Sequence, residues 1–288
     1  MKKQIKSVTA RPSQPGMVGD GFRVFNYIPR VIDQRSMSPF LMLDFNAEHD
    51  FGPSEKIRGV DVHPHKGFET VTIAYKGSVA HHDSTGNSGV INPGDVQWMT
   101  AGGGILHKEY HEKEFSRRGG PFEMVQLWVN LPKKHKATPA HYQAITADQM
   151  GKVELPDNKG VVNVIAGEFN NVKGPADTYS PVNLFDIKLK KQGELTTTLP
   201  AEYNTALLVI NGSIEVNGEK ATEHGFVLFK NEGDEITIQA LEDSVVLLLS
   251  GEPINEPIAS YGPFVMNTQE EIYDAIQEFQ SGKFGVLE

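Results

Sequence analysis

The chain has 288 residues, 39% of them hydrophobic and 22% charged, enough apolar material for the cores of two average domains. A formal net charge of −10 opposes direct binding to a nucleic-acid phosphate backbone. Cysteine is absent, which excludes disulfides, thiolate metal sites and thiol nucleophiles.

The N-terminus, MKKQIKSVTARPSQPG, starts basic but has no apolar stretch after it, and no segment approaches the length that crosses a bilayer. The expected location is the cytoplasm, or the nucleus for a eukaryotic source. Further along, residues 22–29 alternate and residues 40–45 read as a buried strand. Residues 68–75, rich in Val, Thr, Ile and aromatics, form the next strand, closed by the turn 76–78. A loop of turn formers at 83–89 and the tight turn Asn92-Pro93-Gly94-Asp95 lead into a strand at 96–99, with Trp98 and Met99 as core. Ala101-Gly102-Gly103-Gly104 needs unusual backbone angles or a close approach by another group. Residues 122–131 are a strand, and the basic clusters Arg117-Arg118 and Lys133-Lys134-His135-Lys136 read as a solvated turn and a linker.

The proline-flanked stretch 132–140 divides the chain into expected domains of residues 1–133 and 134–288. Strands follow at 161–169, 182–189, 206–216, 226–229, 235–240 and 244–249, with Asn-Gly turns at 211–212 and 217–218. One helix is signalled near the end. Thr268 and Glu271 make a capping box, Ile272, Ile276 and Phe279 share a face, and Gly282 ends it. The halves resemble each other weakly around Gly77 and Gly212, and ungapped counting sets Thr198, Pro200, Ile238 and Ala240 opposite the residues singled out next. None of the four is a good ligand, so the second half is expected to carry no metal.

Two short signatures stand out, His63-Pro64-His65 and His107-Lys108-Glu109. In a strand, side chains two apart share a face, so together they project three imidazoles and a carboxylate into one interior. Such a set suits a divalent transition metal. A lone buried histidine is usually a hydrogen-bonded core residue; two such pairs within glycine-rich strand motifs point to a metal. His81, His82 and His111 are expected as loop or surface residues near the mouth of the site.

The runs His63-Pro64-His65-Lys66-Gly67-Phe68-Glu69-Thr70-Val71 and Asn92-Pro93-Gly94-Asp95-Val96-Gln97-Trp98-Met99-Thr100-Ala101-Gly102, followed by Gly104-Ile105-Leu106-His107, resemble the pirin family of the cupin superfamily. The resemblance covers essentially the whole chain. It implies an all-β bicupin: two cupin-type antiparallel β-barrels with a C-terminal helix and one metal in the N-terminal barrel. By resemblance the ligands are His63, His65, His107 and Glu109, and the metal is Fe(2+), with copper, nickel, zinc, manganese and cobalt as other divalent candidates. Glu69, where many cupins place a carboxylate ligand, becomes a supporting group. The family implies two kinds of role. One is quercetin 2,3-dioxygenase activity on a flavonol or other small aromatic substrate with dioxygen, with Glu109 taking the substrate proton and carbon monoxide released. The other is that of a metal-dependent, redox-sensing regulator that binds a protein partner.

Overall fold

A computed structural model of the chain, describing residues 1–287, is mostly β. The chain folds into two compact units, and each repeats one plan: a seven-stranded antiparallel sheet with a four-stranded one. The all-β expectation, with two cupin-like domains and one long C-terminal helix, holds. Among the described residues no helix is long and apolar enough to cross a membrane.

The first unit comprises Gln14–Val31, Phe40–Ala147 and the C-terminal stretch from Ile254. The second comprises Met1–Ser13, Ile32–Pro39 and Asp148–Pro253. The units therefore do not follow a division at residue 133. Three pairings explain the difference. Strand His141–Ile145 pairs with Val96–Thr100 and so extends the first unit. The hairpin of Ala259–Tyr261 and Phe264–Met266 also belongs to that unit, joined through a bridge between Lys66 and Phe264. Strand Ile5–Thr9, which the sequence did not signal, pairs instead with Phe226–Phe229 in the second unit.

The basic stretch read as a linker is partly interior. Lys136 is buried, and its ammonium donates to the carbonyls of Gly67 and Val265 at 2.8 and 2.9 Å and to Asn130 Oδ1 at 2.8 Å. Burial lowers its pKa to about 8. Arg117 and Arg118, expected in a turn, form the last turn of a short helix, α1 (Lys113–Arg118), whose N-terminus is capped by the Glu112 carboxylate.

In the first unit, the four-stranded sheet runs in the order Gly59–His65, Ile105–His111, Val79–Asp83, Ser88–Ile91. Its second strand converts the period of the sequence directly into a face: Ile105, His107, Glu109 and His111 are buried, while Leu106, Lys108 and Tyr110 are half-buried. The seven-stranded sheet contributes Phe68–Lys76, Val96–Thr100, Gly120–Asn130 and Phe40–Phe51, with Trp98 and Met99 fully buried as expected. The glycine run meets both of its anticipated demands. Gly102 has φ +50° and Gly104 φ +126°, and a Cβ at Gly104 would lie 2.2 Å from the Phe284 ring.

Helix α2 (Gln269–Gln280) starts with the anticipated capping box of Thr268 and Glu271, and Gly282 follows it with φ +77°. It buries Ile272 and Ala275 against Ala259, Phe264, Met266 and Phe284, with Leu106 packed alongside. Phe279, expected on the same face, is 39% exposed and meets only the edge of this cluster, through the rings of Phe264 and Phe284.

The second unit fills the equivalent interior with hydrocarbon. Leu195, Ile214, Ile236 and Ile238 of its four-stranded sheet meet Leu207, Val209, Val246 and Leu248 of its seven-stranded sheet. The turn glycines paired by sequence, Gly77 and Gly212, adopt nearly the same φ, +75° and +78°. Of the four residues counted opposite the signatures, Ile238 and Ala240 do face this core. Thr198 and Pro200 are exposed, and their neighbours Thr197 and Leu199 are buried, so the count is out by one residue there.

Candidate metal centre

Register brings the two signatures together. On one side of strand Ile105–His111, His107 lies opposite His63; on the other, His107 faces Asp83 and Glu109 faces His81. The rings of His63, His65 and His107 stand with centroids 4.3 to 4.8 Å apart, and one nitrogen from each lies within 4.8 Å of the others.

Each ring presents a nitrogen in the form a metal takes. The Nδ1 of His63 lies 2.8 Å from the Asp61 carbonyl, which can only accept, so Nδ1 carries a proton and Nε2 is the nitrogen available to a metal. His65 Nδ1 and His107 Nε2 are buried with no hydrogen-bond partner among the described residues. Burial, reinforced by the neighbouring imidazoles, holds the pKa of both rings well below the usual histidine value, so they are neutral. Buried, neutral imidazoles with unpartnered nitrogens a few ångströms apart fit a divalent transition metal.

Glu109 is buried and held by the facing sheet. The Thr72 hydroxyl donates to Oε1 at 3.0 Å, the Gln97 amide donates to the same oxygen, and the Gln126 amide donates to Oε2 at 2.7 Å. Its carboxylate forms a second three-residue group with His107 and His81, again within 4.8 Å.

His81 is thus not a loop residue at the mouth; it is fully buried. It stacks on Tyr142 at 4.7 Å, its Nε2 lies 3.1 Å from Asp83 Oδ2, and its Nδ1 lies 3.4 Å from His107 Nδ1. Burial alone would raise the Asp83 pKa, but hydrogen bonds from His81, Thr85 and Asn87 hold it at about 2. The carboxylate accepts from His81 Nε2–H, so His81 Nδ1 is free to accept from His107 Nδ1–H. That chain assigns the proton of His107 to Nδ1 and leaves its unpartnered Nε2 for a metal. The signal in the sequence was another two-residue alternation, His81-His82-Asp83, without the glycine-rich setting of the first two.

His111 is also buried, among the rings of Phe22, Phe51, Phe115 and Phe122, and donates from Nε2 to the Gly21 carbonyl at 2.8 Å. Burial lowers its pKa to about 4, marking it as a core residue. His82 is the one of the three that stays partly exposed, with the Tyr110 hydroxyl 2.7 Å from its Nδ1. Glu69 lies outside both groups. It is buried, accepts from the Thr100 hydroxyl at 2.7 Å, and burial raises its pKa to about 7 against that bond.

A cavity of about 330 Å³ adjoins the cluster, lined by His63, His65, Glu109, Gln126, Met42 and Trp128 among others. That size is at the small end of ligand pockets, which run from about 300 to 1,000 Å³.

Two like-built β units, one enclosing a cluster of histidines and a carboxylate, define a cupin-type protein with a candidate metal site. The family model for Pirin matches residues 21–129 and that for the Pirin C-terminal cupin domain matches residues 184–285; the chain belongs to the pirin family. A Pseudomonas aeruginosa relative is 47% identical over 267 residues, 93% of each chain, and its name carries quercetin 2,3-dioxygenase as a provisional assignment. The crystal structure of a quercetin 2,3-dioxygenase from Acinetobacter baumannii aligns over 100% of both chains with a TM-score of 0.95 and 45% identity. The bacterial pirin YhhW of Escherichia coli, solved in complex with nickel(II), shares the fold at a TM-score of 0.66 and 21% identity, over 86% of this chain and 100% of its own.

Proposed function

We propose that this chain holds one divalent metal on His63, His65, His107 and Glu109, ferrous iron in its working state, and opens flavonols with dioxygen as a quercetin 2,3-dioxygenase does. The observation that carries this reading is the pair of unpartnered, buried imidazole nitrogens of His65 and His107 beside a cavity walled by Met42, Met124 and Trp128. Similarity to the Acinetobacter baumannii dioxygenase over the whole chain supports the choice of substrate class.

Held by His63, His65, His107 and Glu109, ferrous iron would supply the redox chemistry that dioxygen requires. The chain's own residues do the rest. The neutral imidazoles of His65 and His107 hold their lone pairs without competing protons, and His63 stands beside them. Glu109 takes the proton of the flavonol 3-hydroxyl, and the donors of Thr72, Gln97 and Gln126 keep its carboxylate aimed and its charge compensated. The apolar wall receives the ring faces and excludes water.

Protein loaded anaerobically with ferrous iron should, on admission of air, consume dioxygen and quercetin in equal amounts and release carbon monoxide. His65→Ala should abolish all three. Turnover that survives His65→Ala, or wild-type protein that leaves quercetin intact, would overturn the reading.

A further inference from the structure

Asn46 is 2% exposed, and neither its amide nitrogen nor its oxygen has a hydrogen-bond partner among the described residues. A buried carboxamide left so is costly and uncommon. It lines the same cavity as His63, His65 and Glu109.

Strand register says where along that cavity it stands. Where Gly120–Asn130 pairs with Phe40–Phe51, Trp128 lies opposite Met42, Gln126 opposite Asp44, and Met124 opposite Asn46. The Trp128 ring meets His65 at 5.3 Å and Gln126 holds Glu109, so these two rows adjoin the cluster. Asn46 stands one row further on, roughly 7 Å along the strand from Asp44. The Asp44 carboxylate is already engaged, accepting from the Asn26 amide at 2.8 Å. Apart from Asn46, that end of the cavity is lined by the apolar Phe22, Val24 and Met124.

We propose that Asn46 is the specificity residue of this cavity, binding the end of a planar aromatic ligand remote from the histidines. A carboxamide offers one donor and one acceptor side by side. Its complement is a ring bearing an adjacent pair of hydroxyls, one accepting from Nδ2–H and one donating to Oδ1. This rests on the flavonol reading above and narrows it: the preferred substrates are flavonols with an adjacent pair of hydroxyls on the pendant ring, over flavonols bare there.

The test compares nickel-loaded wild type with Asn46→Leu, using quercetin and 3-hydroxyflavone as probes and titration calorimetry as the readout. Wild type should bind quercetin about tenfold more tightly than 3-hydroxyflavone, and Asn46→Leu should bring that ratio to about one. Without ligand, Asn46→Leu should also melt at a higher temperature, because an unsatisfied amide has been replaced by hydrocarbon of similar size. A residue kept only for structure would not give a stabler protein that has lost discrimination. If leucine does not fit the space, Asn46→Ala should give the same loss of ratio. A variant that binds both probes with the wild-type ratio would overturn the role of Asn46 while leaving the dioxygenase reading intact. A wild type that binds neither probe would overturn both.

Discussion

Glu69 is a buried carboxyl that lies outside both groups of side chains able to hold a metal. Its carboxyl keeps its proton to a pH of about 7, chiefly through burial and despite the Thr100 hydroxyl, whereas in the unfolded chain it ionises near 4.5. The folded pKa is raised, so the favourable contribution of the neutral acid is complete below 4.5 and declines as pH rises toward 7. Glu69→Gln removes that decline. Urea melts should show the variant and wild type close at pH 4.5, and the variant ahead by about 2–3 kcal/mol at pH 8. A gap independent of pH would contradict the assignment. At Asp83 the expected effect is on binding rather than folding. Asp83→Asn loses the acceptor that orients His81, and through it His107, so its nickel(II) affinity should fall about 10- to 100-fold in a calorimetric titration. An unchanged affinity would mean that the His107 tautomer is set by something else.

At the scale of elements, what could be read in advance was whatever is encoded over a few consecutive residues. The alternation in Ile105–His111 predicts which of its side chains point inward, and the Thr268–Glu271 capping box predicts where α2 begins. Both signals are local. Thr268→Ala should cost about 1 kcal/mol of stability, measurable as a lowered denaturant midpoint. His81 was not legible in this way. Its burial depends on pairing with Glu109 on the neighbouring strand and on stacking against Tyr142, from a strand some sixty positions along the chain. Lys136 reads as solvated because nothing in a run of lysines reveals that one of them meets the carbonyls of Gly67 and Val265. Strand Ile5–Thr9 carries no local signal because its partner, Phe226–Phe229, lies more than two hundred residues away.

Across the whole molecule, one architecture is used for two purposes. The interior of the second unit is closed by branched hydrocarbon side chains, whereas the first places histidines, a glutamate and two glutamines between its sheets. Packing density alone would favour the former, so the polar interior is retained at some cost to stability. The units are also interleaved along the chain, and cutting at residue 133 removes from the first one its strand His141–Ile145, the hairpin reaching Met266, and α2. A fragment of residues 1–133 should therefore lack a cooperative melting transition; a sharp one would show that these later segments are dispensable.

The metal site requires the four side chains His63, His65, His107 and Glu109 to converge on one ion. A crystal structure of the protein loaded anaerobically with ferrous iron tests it most directly. The predicted result is a single metal with three imidazole nitrogens and the Glu109 carboxylate at about 2.0–2.2 Å. An ion held instead between His81, His107 and Glu109, with His63 and His65 unligated, would contradict it.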